Sequence, residues 1–405
     1  MPGREPRGTT DPDAGMMSPF TSEQARLQAV VRALAVAVLL CLACAWRLWL
    51  STRLYPLVPA LGIVPRFPWP LDALVLALVV GLLTGLVVRP LSRPLVAGVV
   101  GLLAVLFAQD QSRLWPSFYE FFLLLLMLLA HRADRGEAEA ARTLDGMRFV
   151  VAAAYFWGGI QKLNVHFFHE EFPWFIRPLT DLLPGPVPGL PVLGAAAAVF
   201  ETLFGIGLLT RRFRGLALCD ALAMHAVILV CIGPLRGDWN DSAWMWSLAS
   251  ATLAWLLFRA APPFSPRAML AAAPPHGLPQ AAAVVLVGLM PLLNNLNLWD
   301  SALSFNVYTG NVSAAHVIMP AGSAALLPRA IAAHALAADD REILDLDAWA
   351  MAEFNANTYP EPRIFRALFA EICGRLPGRS PRLVIVEKAG WFAPKRTRVL
   401  ESGER

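Results

Sequence analysis

Lysine is scarce in this chain: of 34 basic residues only Lys162, Lys388 and Lys395 are lysines. Lys162 follows the apolar run VVAAAYFWGGI, and at 1.5 Å per residue it lies about 21 Å along a helix from Arg148. That places it several ångströms inside the outer boundary of a bilayer, where an ionisable group is a functional candidate. A lysine so near the edge can also snorkel to the interface. Arginine serves as surface cation almost everywhere else here, whereas only lysine loses its proton on desolvation and then acts as a base. Gly158 and Gly159, one turn earlier, leave room for a flat ring or a neighbouring helix.

Glu201 and His225 form a second constellation. They sit in consecutive apolar segments joined by a short arginine-rich turn, TRRFR, so the two helices are expected to be antiparallel neighbours. Counted from the inner end, Glu201 lies at about 12 Å and His225 at about 16 Å, level enough to hydrogen-bond if their faces match. Such a pair relays protons or simply locks the hairpin.

The remaining polar groups gather at helix ends. Gln109-Asp110-Gln111 with Arg113, Gln161 to Asn164, Asp238-Trp239-Asn240-Asp241, and Trp299-Asp300 are expected at one membrane level. Interfacial caps and tryptophans would give the same pattern. His166-x-x-His169 with Glu170 and Glu171 has ligand spacing but no third distant ligand, so no metal site is assigned. Cys41-x-x-Cys44 lies inside an apolar run and reads as packing. No phosphate-binding loop or nucleophile elbow is present.

The elements that must position these groups are transmembrane helices. The chain of 405 residues is 57% hydrophobic and 16% charged, against about 25% charged in soluble domains. Apolar segments occur at 28–50, 71–88, 94–108, 116–131, 148–163, 189–209, 215–234, 243–258 and 279–296. The expected fold is an all-α polytopic membrane bundle of eight or nine transmembrane helices with a small C-terminal α/β extramembrane domain. Residues 1–25 read as a disordered cytosolic leader, 26–297 as the membrane domain and 298–405 as the extracytoplasmic α/β domain. Arginines concentrate in alternate loops, at Arg89 and Arg93, Arg132 to Arg148, Arg211 to Arg214, and Arg259 and Arg267. The opposite loops hold few cations, among them Arg53, Arg66, Arg113, Arg177 and Arg236. That bias predicts a multi-pass protein of the cell inner (plasma) membrane, with its N-terminus cytoplasmic and its C-terminal domain outside. A net charge of +4 without a basic stripe gives no sign of a nucleic-acid partner. In the outer domain, 303–319 and 382–388 are expected as strands, and 325–337 and 362–375 as helices.

The string Tyr155-Phe156-Trp157-Gly158-Gly159-Ile160-Gln161-Lys162-Leu163-Asn164 resembles the YFxAGxxKL(N/D) signature of the horizontally transferred transmembrane family, the bacterial relatives of vitamin K-dependent gamma-glutamyl carboxylase. Glu201, the arginine-rich turn, His225 and Gly233-Pro234 with Trp239-Asn240 fit the later part of its pattern, over about 28–300. The resemblance implies a quinone or vitamin K-type hydroquinone as cofactor, with Lys162 as its base. The stretch Asp110–Tyr119 lacks the carboxylase's second histidine, and the outer region is far smaller, so carboxylation is not expected.

The function this reading supports is a hydroquinone-dependent membrane enzyme. Lys162 is the base, Glu201 and His225 relay protons or brace the helices, Asp110 and Asn240 orient the lysine or the quinone, and Trp239 and Trp299 wall the pocket. Besides the lipid bilayer, a peptide or protein substrate at the outer face is the expected partner. The alternative is a non-catalytic scaffold or peptide maturation or export partner, in which Lys162 merely neutralises Asp110.

Overall fold

The computed structural model describes residues 20–61, 63–235, 239–271, 277–390 and 394–402. The expected leader up to residue 19, Arg236 and Asp238 lie outside the described residues.

Eight long helices build the bundle: α1 (Glu23–Cys44), α2 (Leu71–Val88), α3 (Arg93–Gln109), α4 (Pro116–Leu129), α5 (Gly136–Lys162), α6 (Leu190–Leu209), α7 (Arg214–Ile232) and α8 (Asp241–Phe258). A ninth apolar segment, Leu278–Leu296, is broken into an α turn, a π turn and a 3-10 turn, and Asn297 ends it in the left-handed region at φ 59°. Among the described residues, five helices are long and apolar enough to cross a membrane: α1, α2, α6, α7 and Leu278–Leu296. A sixth span results if α4 and the helical stretch Ala133–Lys162, bent by 64° at the break between them, are taken together. An outward belt fits this reading, with Leu74, Leu78 and Val88 exposed on α2, Leu203 and Ile206 on α6, and Leu216 on α7.

Two helices begin earlier than the apolar runs suggest, because their charged residues find partners inside the protein. At α1 the Ser22 hydroxyl caps Ala25 N at 3.1 Å, and Glu23 pairs with Arg26 and Arg148. In α5, expected from 148, Arg142 pairs with Glu139 and Arg148 with Asp145 one turn apart. At this same end, buried guanidinium groups serve the orphan carbonyls of a helix terminus. Arg26 donates to Leu256 O and Arg259 O, and Arg148 to Leu257 O.

The C-terminal domain is an antiparallel five-stranded sheet with helices α9 (Leu346–Phe354) and α10 (Pro362–Arg375). Its strands are β1 (Ala314–Pro320), β2 (Ala335–Ala338), β3 (Arg341–Asp345), β4 (Arg382–Glu387) and β5 (Arg396–Glu401), in the order β2-β3-β1-β4-β5. Two expectations are corrected. Only 314–319 of the expected first strand is extended; Leu303 and Ser304 belong to a 3-10 turn and 305–313 is a loop, with Phe305, Tyr308 and Gly310 at positive φ. Of 325–337, only Arg329–Ala332 is α-helical, and Ala335 onward pairs with β3.

This domain sits on one end of the bundle. Asn355 bonds both the backbone N and the carboxylate of Asp241, Leu54 N donates to Glu353, Asn164 donates to Thr309 O at 3.1 Å, and Arg363 joins Gln111 to Asp300. The helix-end loops singled out in the sequence therefore meet beneath it.

Candidate functional site

Lys162 ends α5, and Glu201 is at the midpoint of α6. The two helices can touch because glycines face the contact. A Cβ on Gly159 would stand 2.4 Å from Thr202 N, and one on Gly205 would stand 2.6 Å from Phe156 N. Gly158 leaves space for the Glu201 carboxylate itself, whose Oε1 would be 2.7 Å from a Cβ there. Across this crossing Lys162 Nζ donates to both Glu201 oxygens at 2.8 Å. The side chains are 18% and 10% exposed, so little water competes with the pair.

The pair lies in the wall of a cavity of about 450 Å³, within the usual range for small-ligand sites. Its surface is mostly apolar, with Phe172, Phe175, Phe204, Met224, Ile228 and Phe305 among the lining residues. A second polar group crosses it from α5 to α8: the Tyr155 hydroxyl bonds His225 Nε2 at 2.7 Å, and His225 Nδ1 bonds the Ser247 hydroxyl at 2.8 Å. The third is Glu120 on α4, which is buried and accepts from Trp246 Nε1 at 2.8 Å. Among the described residues no cation pairs with Glu120. No protein-family model, curated protein or solved structure matches this chain.

At the sheet-domain end of the cavity the lining residue Tyr308 belongs to a cluster of aromatic rings. Trp239 packs edge-on against Trp174 and Tyr308, with centroids 5.3 and 5.7 Å apart. Asn240, itself at φ 53°, caps α8 through Ala243 N and donates to the Tyr308 hydroxyl at 2.8 Å. Burial raises the Tyr308 phenol above its ordinary range, and Glu171 adds to that shift. Beside this lid, burial first and Glu170 second hold the Glu171 carboxyl above the usual carboxylate range, with Lys162 and Lys395 acting the other way.

The sequence-predicted residues thus divide. Lys162, Glu201 and His225 all face the cavity, but Glu201 reaches Lys162 rather than His225, because the glycine face of α5 turns that carboxylate toward the lysine. Asp110 is not beside Lys162. It is fully buried between Arg53 and Arg113 and accepts from Val58 N and Ser112 N. Trp239 and Asn240 belong to the lid and do not line the main cavity. Trp299 is no pocket wall: the broken ninth segment carries it into the turn toward the sheet domain, where its carbonyl accepts from Asn294. His166 bonds Glu170 within its own turn, and among the described residues no three ligand-type side chains form a metal-binding group.

Sequence reasoning missed Glu120, Tyr155 and Ser247. Glu120 carried the signal that marked Glu201, a lone carboxylate in an apolar run (PSFYEFFLLLLMLL). The hydroxyls carried none, since Tyr and Ser are common in membrane helices.

Proposed function

We propose that this chain is an integral membrane protein of eight or nine crossings, with its sheet domain outside, that binds a quinone or vitamin K-type hydroquinone and exchanges protons with it at Lys162 and Glu201. The observation that carries this reading is the Lys162–Glu201 pair set in the wall of an otherwise apolar cavity. A buried ion pair contributes little to stability compared with apolar packing, so its retention beside a cavity speaks for chemistry. The resemblance to the horizontally transferred transmembrane family rests on the same lysine.

The residues present fit such a group. Phe172, Phe175, Phe204 and Phe305 offer faces and edges to a flat ring, while Lys162, Glu201 and Ser247 offer donors and acceptors to its oxygens. When bound, a quinone couple would supply two-electron redox chemistry with protons at those oxygens. Glu201 retains lone pairs beyond those engaged by Nζ, so one of its oxygens can accept a hydrogen bond from a ligand O–H while Lys162 holds the carboxylate in place. As the base, Nζ takes the ligand O–H proton while one of its own passes to the Glu201 oxygen 2.8 Å away, leaving a ligand oxyanion, an ammonium and a neutral carboxyl. The Tyr155–His225–Ser247 chain alternates groups that both donate and accept, and so can transmit a proton or fix the ring of His225.

A scaffold reading draws on the same contact, because a salt bridge between two helices also braces them. Titrating a naphthoquinone into wild type and Lys162→Arg in nanodiscs separates the two. Saturable binding that Lys162→Arg weakens, with folding unchanged, supports the ligand site. No saturable binding by the wild type favours the scaffold.

A further inference from the structure

The cavity reaches the outward belt as well as the interior. At their inner ends α6 and α7 are in close contact, since a Cβ on Gly207 would stand 3.0 Å from Ala217 Cβ. Farther out, both helices contribute cavity-lining residues that are also open to the surroundings: Ala197 and Phe200 on α6, and Ala223 and Val227 on α7. Phe200 is 59% and Val227 41% exposed while lining the same cavity as the buried Tyr155 and His225. The space therefore continues through a slot between α6 and α7. That slot is flanked by the exposed Val199, Leu203 and Leu216, which are apolar throughout. The outer end, by contrast, is covered by the Trp174–Trp239–Tyr308 cluster.

We propose that the α6–α7 slot is a lateral portal and that the ligand is an amphiphile whose polar ring sits at Lys162–Glu201 while one long apolar chain leaves through the slot into the bilayer. The chain is the occupant because the lips Ala197, Phe200, Ala223 and Val227 are apolar, with Asp220 the ionisable α7 side chain beside them, and a slot open to lipid needs no water-filled path. This inference rests on the quinone reading for its head group.

The test compares a naphthoquinone carrying a multi-isoprenoid chain with the same ring lacking the chain, titrated into the full-length protein in nanodiscs. Ala197→Trp and Ala223→Trp place an indole at the lips of the slot, and Leu78→Trp adds one on α2, elsewhere on the belt. The expected result is that the lip variants weaken the chained ligand about tenfold or more relative to the chainless one, while Leu78→Trp leaves the ratio of affinities as in wild type. If the lip variants leave that ratio unchanged and the chainless ring still binds, the portal is refuted and the quinone site stands. If neither ligand binds the wild type, the head-group reading fails and the portal falls with it.

Discussion

Replacing Gly159 by alanine tests the helix crossing on which the site depends. The added Cβ would lie 2.4 Å from Thr202 N, 2.4 Å from Thr202 Oγ1 and 2.8 Å from Ala198 O. Two of these atoms are backbone and cannot rotate away, so α5 and α6 must separate by roughly 1 Å to reach ordinary contact. Overpacking of this kind costs about 1–3 kcal/mol. Alanine's better helix propensity returns up to about 1 kcal/mol, leaving a net loss of about 0–2 kcal/mol against wild type and the full 1–3 kcal/mol against a glycine-to-alanine change that meets nothing. Separation of this size also lengthens the Lys162–Glu201 contact of 2.8 Å beyond hydrogen-bonding distance. Two substitutions calibrate the result. Gly101→Ala on α3 meets nothing within 4 Å and should be neutral or slightly stabilising. Gly158→Ala meets the ends of two flexible side chains, Glu201 Oε1 at 2.7 Å and Lys162 Nζ at 3.8 Å, so it should displace the pair at smaller cost to the fold. Unfolding by SDS titration gives the three stabilities. Equal stability of Gly159→Ala and Gly101→Ala would refute the close crossing and the pairing built on it.

Other consequences follow from the same structure. Glu201→Gln and Lys162→Met should each destabilise by about 3 kcal/mol, because each leaves its partner unpaired in a site with little water; the double variant should recover part of that loss, and strictly additive effects would show that the pair is not formed. Lys388, buried in the sheet domain against Ser301, has its pKa lowered to about 8 by desolvation, with Glu361 and Asp300 acting the other way. Between about pH 8 and the lysine's unfolded value of about 10.4 the unfolded chain binds the extra proton, so stability rises with pH. Wild type should therefore gain on Lys388→Met by about 3 kcal/mol across that window, and a flat difference would contradict the burial. Leu336→Cys, 67% exposed on β2, should react with a membrane-impermeant maleimide added to intact cells. Labelling only after lysis would place the sheet domain inside.

Much of the helical bundle was legible in apolar run length, although among the described residues five runs, or six with the bent pair, are long and apolar enough to cross a membrane. All nine runs are helical, and the misplaced ends fall where charges pair within the protein, as in Glu139–Arg142 and Asp145–Arg148. The sheet domain was less legible. Ala335–Ala338 reads as helix in isolation and becomes a strand by pairing with β3, while β3 and β5 begin and end in charged residues. Phe305 and Tyr308 have strand-like side chains but sit at positive φ in the loop that packs on the bundle. For the site, an ionisable group in an apolar run was signal enough for Lys162, Glu201 and His225. Their partners were not readable, because the rotation of each helix about its axis is set by glycine contacts distant in sequence. Asp110 shows the same limit, since it finds Arg53, 57 positions earlier, rather than Lys162.

The most direct measurement of the central claim is oxidation of an added hydroquinone by dissolved dioxygen, giving quinone and hydrogen peroxide, catalysed by the purified protein in nanodiscs, with wild type beside Lys162→Arg and Glu201→Gln. The account predicts turnover in wild type and its loss in both variants, although arginine keeps the charge and the fold. Turnover that survives in Lys162→Arg would contradict a proton-exchanging lysine and leave the pair a brace between α5 and α6.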